Sequence, residues 1–300
     1  MSTYNGERYV REQVNSILKQ LSVGDQLLIR DDGSMDGTVD FINKLCDPRI
    51  SIVSGENVGF FRSFLWLLYH VDRRHSIYML ADQDDVWLPG KIDRARESLE
   101  SRADPCLYCT RLQIVDESLN KIGISPFINK PPSFQNAICE NIATGCTIAL
   151  NRLAMDIIRK PSFESINSCE IYYHDWWLYL NLAYFGCVIW DPEPSIMYRQ
   201  HANNIVGMGS GITRYWRIWT SVKRKSWVRI LVAQLRSFLY LYEECLPEHD
   251  RKWLISLCEG QLFKIAWSLM TDRRLQRQQP MDQMLFRCLV LFDFFRGKLK

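Results

Sequence analysis

Apolar residues recur along the first two thirds of the chain in two alternating rhythms. Val10, Val14, Ile17, Leu18 and Leu21 share one helical face, and residues 26–30 (QLLIR) then form a short apolar block of the kind that fills a buried strand. The alternation repeats. Val39, Phe41, Ile42 and Leu45 predict a second helix, residues 50–54 (ISIVS) a strand, Phe60, Phe64, Leu67, Leu68 and Val71 a third helix, and residues 76–81 (SIYMLA) another strand. Pro89 falls where a first helical position would suit it. Residues 106–110 (CLYCT) and 146–150 (CTIAL) add strands; residues 174–185 read as a helix closed by Gly186, and 187–191 (CVIWD) as a strand. Strand–helix alternation predicts the α/β class, a mostly parallel sheet with helices on both faces. From about Thr213 strand signals stop, and helical stretches run to the end with a break at Gln279-Pro280. The expected organisation is an α/β domain over 1–212 and a helical region over 213–300.

Charge divides along the same boundary. Residues 214–300 carry 17 Lys/Arg against 8 Asp/Glu, and residues 1–213 carry 20 against 26. An acidic body argues against nucleic acid as a partner; a basic tail suggests an anionic surface such as a membrane. Ten scattered cysteines read as reduced, mostly buried thiols in a cytosolic protein. No signal-peptide pattern appears, and no apolar run approaches the ~20 residues that span a bilayer. The expectation is a cytoplasmic protein.

Candidate chemistry concentrates in two acidic runs. In RDDGSMDGTVDFIN (30–43), Asp32, Ser34, Asp36 and Asp40 match the spacing of a calcium loop. Its last ligand position holds Asn43 rather than Glu, and a strand precedes it where a helix belongs, so this calcium module fails both context tests. The other reading uses sheet geometry: ligands of open α/β sheets bind beyond the carboxyl ends of strands. Asp31 and Asp32 lie at one such end, and Asp82, Asp84 and Asp85 at another. Carboxylates ~4 Å apart repel by roughly 4 kcal/mol per pair at an effective dielectric near 20. A divalent cation relieves that repulsion, and Asp82-x-Asp84 offers the hard oxygens that Mg²⁺ or Mn²⁺ prefer.

Six segments in one order sharpen the reading: STYNGERYVREQVNSIL, DDGSMDGT, ENVGFFRSF, DQDDVW, HDWW and YRQHANN. Together, from Ser2 to about Gly207, they resemble a bacterial family 2 glycosyltransferase of the GT-A fold, most closely its rhamnosyltransferase-like branch. The resemblance implies that Thr3 and Tyr4 line a nucleotide-base pocket and that Asp32 accepts a hydrogen bond from the base. Asn57, Gly59 and Arg62 match the segment near the ribose and diphosphate, where Gly59 allows close approach and Arg62 supplies planar donors. Asp82 and Asp84 are the implied metal-binding pair, with Asp82 also on the donor side; Asp85 holds the loop, and His201 completes the coordination. Asp175 matches the general base of inverting members, and it can equally cap the helix that follows. Gly145 and Cys146 match a turn beside the sugar and acceptor. Trp176 and Trp177 stack on sugar faces or fill the core.

The implied activity is metal-dependent transfer of a sugar, rhamnose by overall resemblance, from a nucleotide-sugar donor to a cell-surface glycan or lipid-linked glycan acceptor. The alternative is an inactive relative that only binds a nucleotide-sugar or glycan. Family members carry a buried strand before the STYNG segment, whereas here Met1 leads straight into Ser2. The expectation is therefore an upstream start or a truncated, weakened enzyme. Trp216, Trp219 and Trp227 alternate with basic residues over 214–229, and MLFRCLVLFDFF (284–295) offers a second apolar surface. Both suggest peripheral docking on the inner face of the plasma membrane.

Overall fold

The computed structural model describes residues 1–201 and 227–296. The chain opens with β1 (Ser2–Thr3), a two-residue strand that the sequence pattern does not predict; in chain order α1 (Val10–Leu18), β2 (Leu27–Asp31), α2 (Thr38–Lys44), β3 (Ile50–Ser54), α3 (Phe60–His70) and β4 (Ile77–Met79) then realise the alternation read from the sequence. There follow β5 (Val86–Trp87), α4 (Lys91–Leu99), β6 (Cys106–Thr110), β7 (Gln113–Val115), β8 (Lys121–Ile124), α5 (Phe134–Cys139), β9 (Ala149–Asn151) and α6 (Arg152–Ile158). Next are α7 (Phe163–Asn167), α8 (His174–Phe185), β10 (Cys187–Asp191), β11 (Ile196–Arg199), α9 (Trp227–Tyr242), α10 (Glu248–Cys258), α11 (Leu262–Thr271) and α12 (Pro280–Phe295). Pro89 is not the first residue of α4. Gly90 follows it at φ 79°, and the helix begins at Lys91.

The chain forms two compact units. One comprises Met1–Phe127, Ala143–Lys160 and residues 185–201; the other comprises Ile128–Ile142, Pro161–Tyr184 and the described helices from Trp227 on. The expected single cut at residue 212 is thus replaced by an interleaved division.

In the first unit β1, β2 and β3 are parallel, with Ser2 opposite Arg30 and Leu27 opposite Ile50. The Ser2 amide donates to the Ala81 carbonyl (3.4 Å), which continues the layer beyond β4. A second sheet has the order β10-β6-β9-β4, with β10 and β6 parallel and β9 antiparallel to both its neighbours. A third has the order β5-β11-β7-β8. Helical spacing buries Ala95 and Leu99 of α4 against Cys106, Tyr108 and Ala149. Each large apolar side chain buried in this way contributes ~1.5–3 kcal/mol. At the turn into β10 an added Cβ on Gly186 would lie 2.1 Å from the Pro105 carbonyl oxygen, so only glycine lets α8 end there.

The β6–β10 register sets Cys187 opposite Cys106 with 4.8 Å between Cα atoms, and the two are disulfide-bonded. This corrects the reading of all ten cysteines as free thiols; a parallel pair brings two side chains on the same face within bridging reach. Cys109 shares the strand at C-x-x-C spacing but is free and buried, because strand side chains three apart point to opposite faces.

The second unit is helical. Phe134 of α5, Trp177 of α8, and Phe238 and Tyr242 of α9 form an aromatic cluster; the Phe134–Phe238 centroids are 5.6 Å apart and the Phe238–Tyr242 centroids 5.1 Å. Pro280 opens α12 as a first-turn proline, which accounts for the break read at Gln279-Pro280. Of the Trp-rich basic run, residues 214–226 lie outside the described residues.

Candidate active site

Parallel pairing sends the ends of β1 and β2 to one edge of the first unit, and the turn after β4 arrives beside them. Ser2 faces Ala81, and two residues on Tyr4 faces Gln83. The Gln83 amide accepts from the Tyr4 N–H (2.7 Å) and donates to the Tyr4 carbonyl (2.9 Å), so the Asp82–Asp85 turn is fastened to the end of β1.

The acidic run after β2 is consumed by the protein's own donors. Asp31 accepts from Thr3 Oγ1 (2.9 Å), the Ser34 N–H (2.8 Å) and Ser34 Oγ (2.6 Å). Asp32 accepts from the Arg30 guanidinium and from the backbone N–H groups of Val58 (3.0 Å) and Gly59 (2.9 Å). Asp36 accepts from the Thr38 hydroxyl and from the N–H groups of Glu7 and Thr38. These carboxylates therefore shape the edge rather than wrap one ion. Thr3 and Asp32 are 1% and 2% exposed, whereas Tyr4 presents 45% of its surface. Asn57 Oδ1 accepts from the Gly59 N–H (3.2 Å); Gly59 adopts φ 84°, which favours glycine, and Arg62 is exposed on the first turn of α3.

His201 Nε2 lies 2.8 Å from Asp84 Oδ2, and the imidazole stacks on Tyr9 at 5.1 Å. On the Tyr9 ring also sits the guanidinium of Arg199, at 4.6 Å. Arg199 is 1% exposed. Its Nε donates to the Asp84 carbonyl (2.8 Å), its remaining nitrogens donate to the Glu117 carbonyl and the Glu12 carboxylate, and its backbone N–H donates to Asp85 Oδ1 (3.1 Å). One side chain thus ties the acidic turn to α1 and to the β7–β8 hairpin.

Behind the turn, ligand-type atoms of Asp82, Asp85 and Cys146 lie within 4.8 Å of one another. Asp85 is fully buried; desolvation, then the charges of Asp84 and Asp82, raise its carboxyl well above the usual range. Burial, then the Asp85 and Asp82 charges, likewise push the Cys146 thiol up. Asp85 and Cys146 are both buried beneath the turn and support it from within. Asp82 and Asp84 are only partly buried. Lys91, 1% exposed, donates to the Cys146 carbonyl and to Ser195 Oγ, both at 3.1 Å; desolvation lowers its pKa to about 8. Gly145 and Cys146 form a buried 3₁₀ turn, which starts the segment read as the strand 146–150.

Asp175 belongs to the second unit. It lies in the first turn of α8, where its Oδ1 accepts from the Trp176 N–H at 2.7 Å. Trp176 and Trp177 are each 2% exposed, and the Trp176 indole donates to the Ala137 carbonyl (2.6 Å). Neither ring has a free face for a sugar; the sugar-stacking role is corrected to a core role. The sequence reading passed over Tyr9, Gln83, Lys91 and Arg199. Tyr9, Gln83 and Arg199 stand inside the segments STYNGERYVREQVNSIL, DQDDVW and YRQHANN, which is the signal that marks them.

The family model described as "Glycosyl transferase family 2" matches residues 1–158, so the chain belongs to this glycosyltransferase family. The α/β architecture with its helical C-terminal region is that of the GT-A glycosyltransferases. Among individual relatives, the chain is 29% identical over 257 residues to the dTDP-rhamnosyl transferase RfbG of Shigella flexneri, covering 80% of this chain and 84% of that one. The fold is shared with Staphylococcus aureus TarS 1-349 in complex with UDP (TM-score 0.57, 12% identity, 99% of this chain and 86% of that one). It is also shared with the mannosyltransferase PcManGT of Pyrobaculum calidifontis in complex with GDP-Man and Mn²⁺ (TM-score 0.51, 14% identity, 99% and 86%).

Proposed function

We propose that this glycosyltransferase moves a sugar, with inversion, from a nucleotide-diphosphate-sugar to a hydroxyl of a cell-surface glycan or lipid-linked acceptor, and that the sugar is rhamnose. The observation that carries the reading is the Asp84–His201 pair, held at the edge where Tyr4 and Asp32 end their strands. Identity with a dTDP-rhamnosyl transferase over most of both chains supports the choice of sugar.

The donor atoms suit a divalent cation. Two carboxylates and an imidazole are hard-to-borderline ligands. The 2.8 Å between Asp84 Oδ2 and His201 Nε2 is close to the ~3 Å between adjacent ligands that each lie ~2.1 Å from one octahedral ion. Asp84 lies beside His201, whereas the ligand atoms of Asp82 group with those of Asp85 and Cys146; Asp84 and His201, joined by Asp82 of the same turn, would hold Mg²⁺ or Mn²⁺, which supplies Lewis-acid stabilisation of the departing diphosphate. The Tyr4 ring covers the base, and Asp32, whose Oδ1 already accepts from Arg30 and Val58, accepts a base N–H on the lone pair left on Oδ2 beside the Gly59 N–H. Asn57, Gly59 and Arg62 hold the ribose and diphosphate, Arg62 through paired N–H donors. The Gly145–Cys146 turn borders the transferred sugar. Asp175 accepts the acceptor's hydroxyl proton as its oxygen bonds to the anomeric carbon and the bond to the nucleoside diphosphate breaks. We place this work at the cytoplasmic face of the plasma membrane, where a lipid-linked acceptor is presented. Among the described residues no helix is long and apolar enough to cross a membrane.

Thermal unfolding with a panel of nucleotide-sugars, with and without Mn²⁺, tests the reading. dTDP-rhamnose is expected to raise Tm in the presence of the metal and to be hydrolysed slowly without acceptor, and Asp84→Asn to remove both effects. A binder without turnover would show the shift and no hydrolysis. Absence of any nucleotide-dependent shift overturns the proposal.

A further inference from the structure

Helix α12 is apolar on two sides. Phe286, Leu289 and Val290 are buried in the helical unit. On the outer side Met281, Met284, Cys288, Leu291 and Phe295 recur at alternating three- and four-residue spacing, which draws one stripe down the helix. Met284 and Phe295 are 57% and 81% exposed. Phe263 and Trp267 of α11, both more than half exposed, stack at 6.1 Å, and Phe263 meets Phe294 edge-on at 6.2 Å, so the outer faces of the two helices form one aromatic surface. Singly exposed apolar residues are ordinary, but a joined patch of this kind marks a contact surface.

The charges decide its occupant. The exposed ionic groups on α11, α12 and its C-cap are Lys264, Arg287 and Arg296, all cations. The two carboxylates of α12, Asp282 and Asp293, are 2% and 1% exposed and face inward. A second copy docked on this face would bring cations against cations with no carboxylate to answer them, and the stripe lacks the flanking acid–base pairs of a helix seam. An anionic lipid surface complements it: aromatic and aliphatic side chains enter the headgroup boundary while arginine and lysine meet phosphate.

We infer that the outer face of α11 and α12 is the surface by which this enzyme docks on an anionic bilayer. The inference rests on the proposed lipid-linked acceptor only for its purpose; the docking is testable without it. The full chain is floated with vesicles of phosphatidylcholine alone and with added phosphatidylglycerol, at low and high salt. It is expected to float with the anionic vesicles at low salt. Arg287→Ser is expected to weaken binding about fivefold and Leu291→Ser with Phe295→Ser at least tenfold. Thermal unfolding and soluble donor hydrolysis should stay unchanged, because these side chains are exposed and outside the donor site. Wild-type protein that stays unbound overturns the inference, as does binding that survives these changes. So does a dimer in sedimentation velocity that the same changes dissolve. Loss of donor hydrolysis in the wild type would instead sink the proposed activity and leave the docking result standing.

Discussion

Arg199 shows how a single side chain sets the geometry of the candidate site. It spans the Asp84 carbonyl, the Glu117 carbonyl and the Glu12 carboxylate, and supports the Tyr9 ring on which His201 lies. Arg199→Ala removes a buried guanidinium that joins three elements and leaves its packing space empty, and is expected to cost roughly 2–4 kcal/mol, read as a lowered urea midpoint. Arg199→Lys, without the planar fork, should recover only part of that loss. Asp175→Asn is expected to lower kcat by about 10²–10⁴ while donor KM stays within about twofold. Turnover near wild type would remove Asp175 from the base role. Residues whose chemistry is intrinsic stand out as candidates in the sequence: Asp82, Asp84 and His201 have ligand-type side chains, and the structure sets Asp84 beside His201. Tyr9 and Gln83 lie within the marked segments but carry no intrinsic ligand chemistry, and Lys91 lies outside them; an aromatic ring, an amide and an ammonium acquire their roles from what folding sets against them.

Among elements, the long periodic ones were readable. The first three helices and the strands β2 and β3 lie within a few residues of their expected positions. The two-residue β5, the β7–β8 hairpin and the helices α5 and α7, of six and five residues, are too short to establish a period, so pairing and capping define them instead. Gly186 was read as a helix terminator, but its stricter duty is the approach of Pro105, invisible without the β6–β10 pairing. Gly186→Ala is expected to destabilise by more than ~2 kcal/mol, because backbone rather than a flexible side chain must yield. A melting temperature unchanged from wild type would show that the β6–β10 edge can part without cost.

For the whole molecule, acid is the informative stress. His174 is buried in the helical unit, and desolvation lowers its pKa from 6.5 to about 3. The unfolded chain therefore takes up a proton near pH 6.5 that the folded one refuses until about pH 3. The stability so linked is complete above pH 6.5 and is lost as pH falls through this window, at up to ~1.4 kcal/mol per pH unit. Urea midpoints at about pH 7.5 and about pH 5.5 should diverge in the wild type and less so in His174→Asn; equal divergence in both would assign the acid sensitivity to other groups. The α/β-then-helical order was legible from where the strand rhythm stops. The interleaving was not, since local patterns do not say which distant helix an aromatic face will find. That interleaving has a practical result. The backbone passes from one unit to the other after residues 127, 142, 160 and 184, and once more between residues 201 and 227, so no lone cleavage liberates either unit intact. A fragment trimmed of its last helices would keep Phe134 and Trp177 without Phe238 and Tyr242 to cover them, a sticky remnant rather than a smaller enzyme.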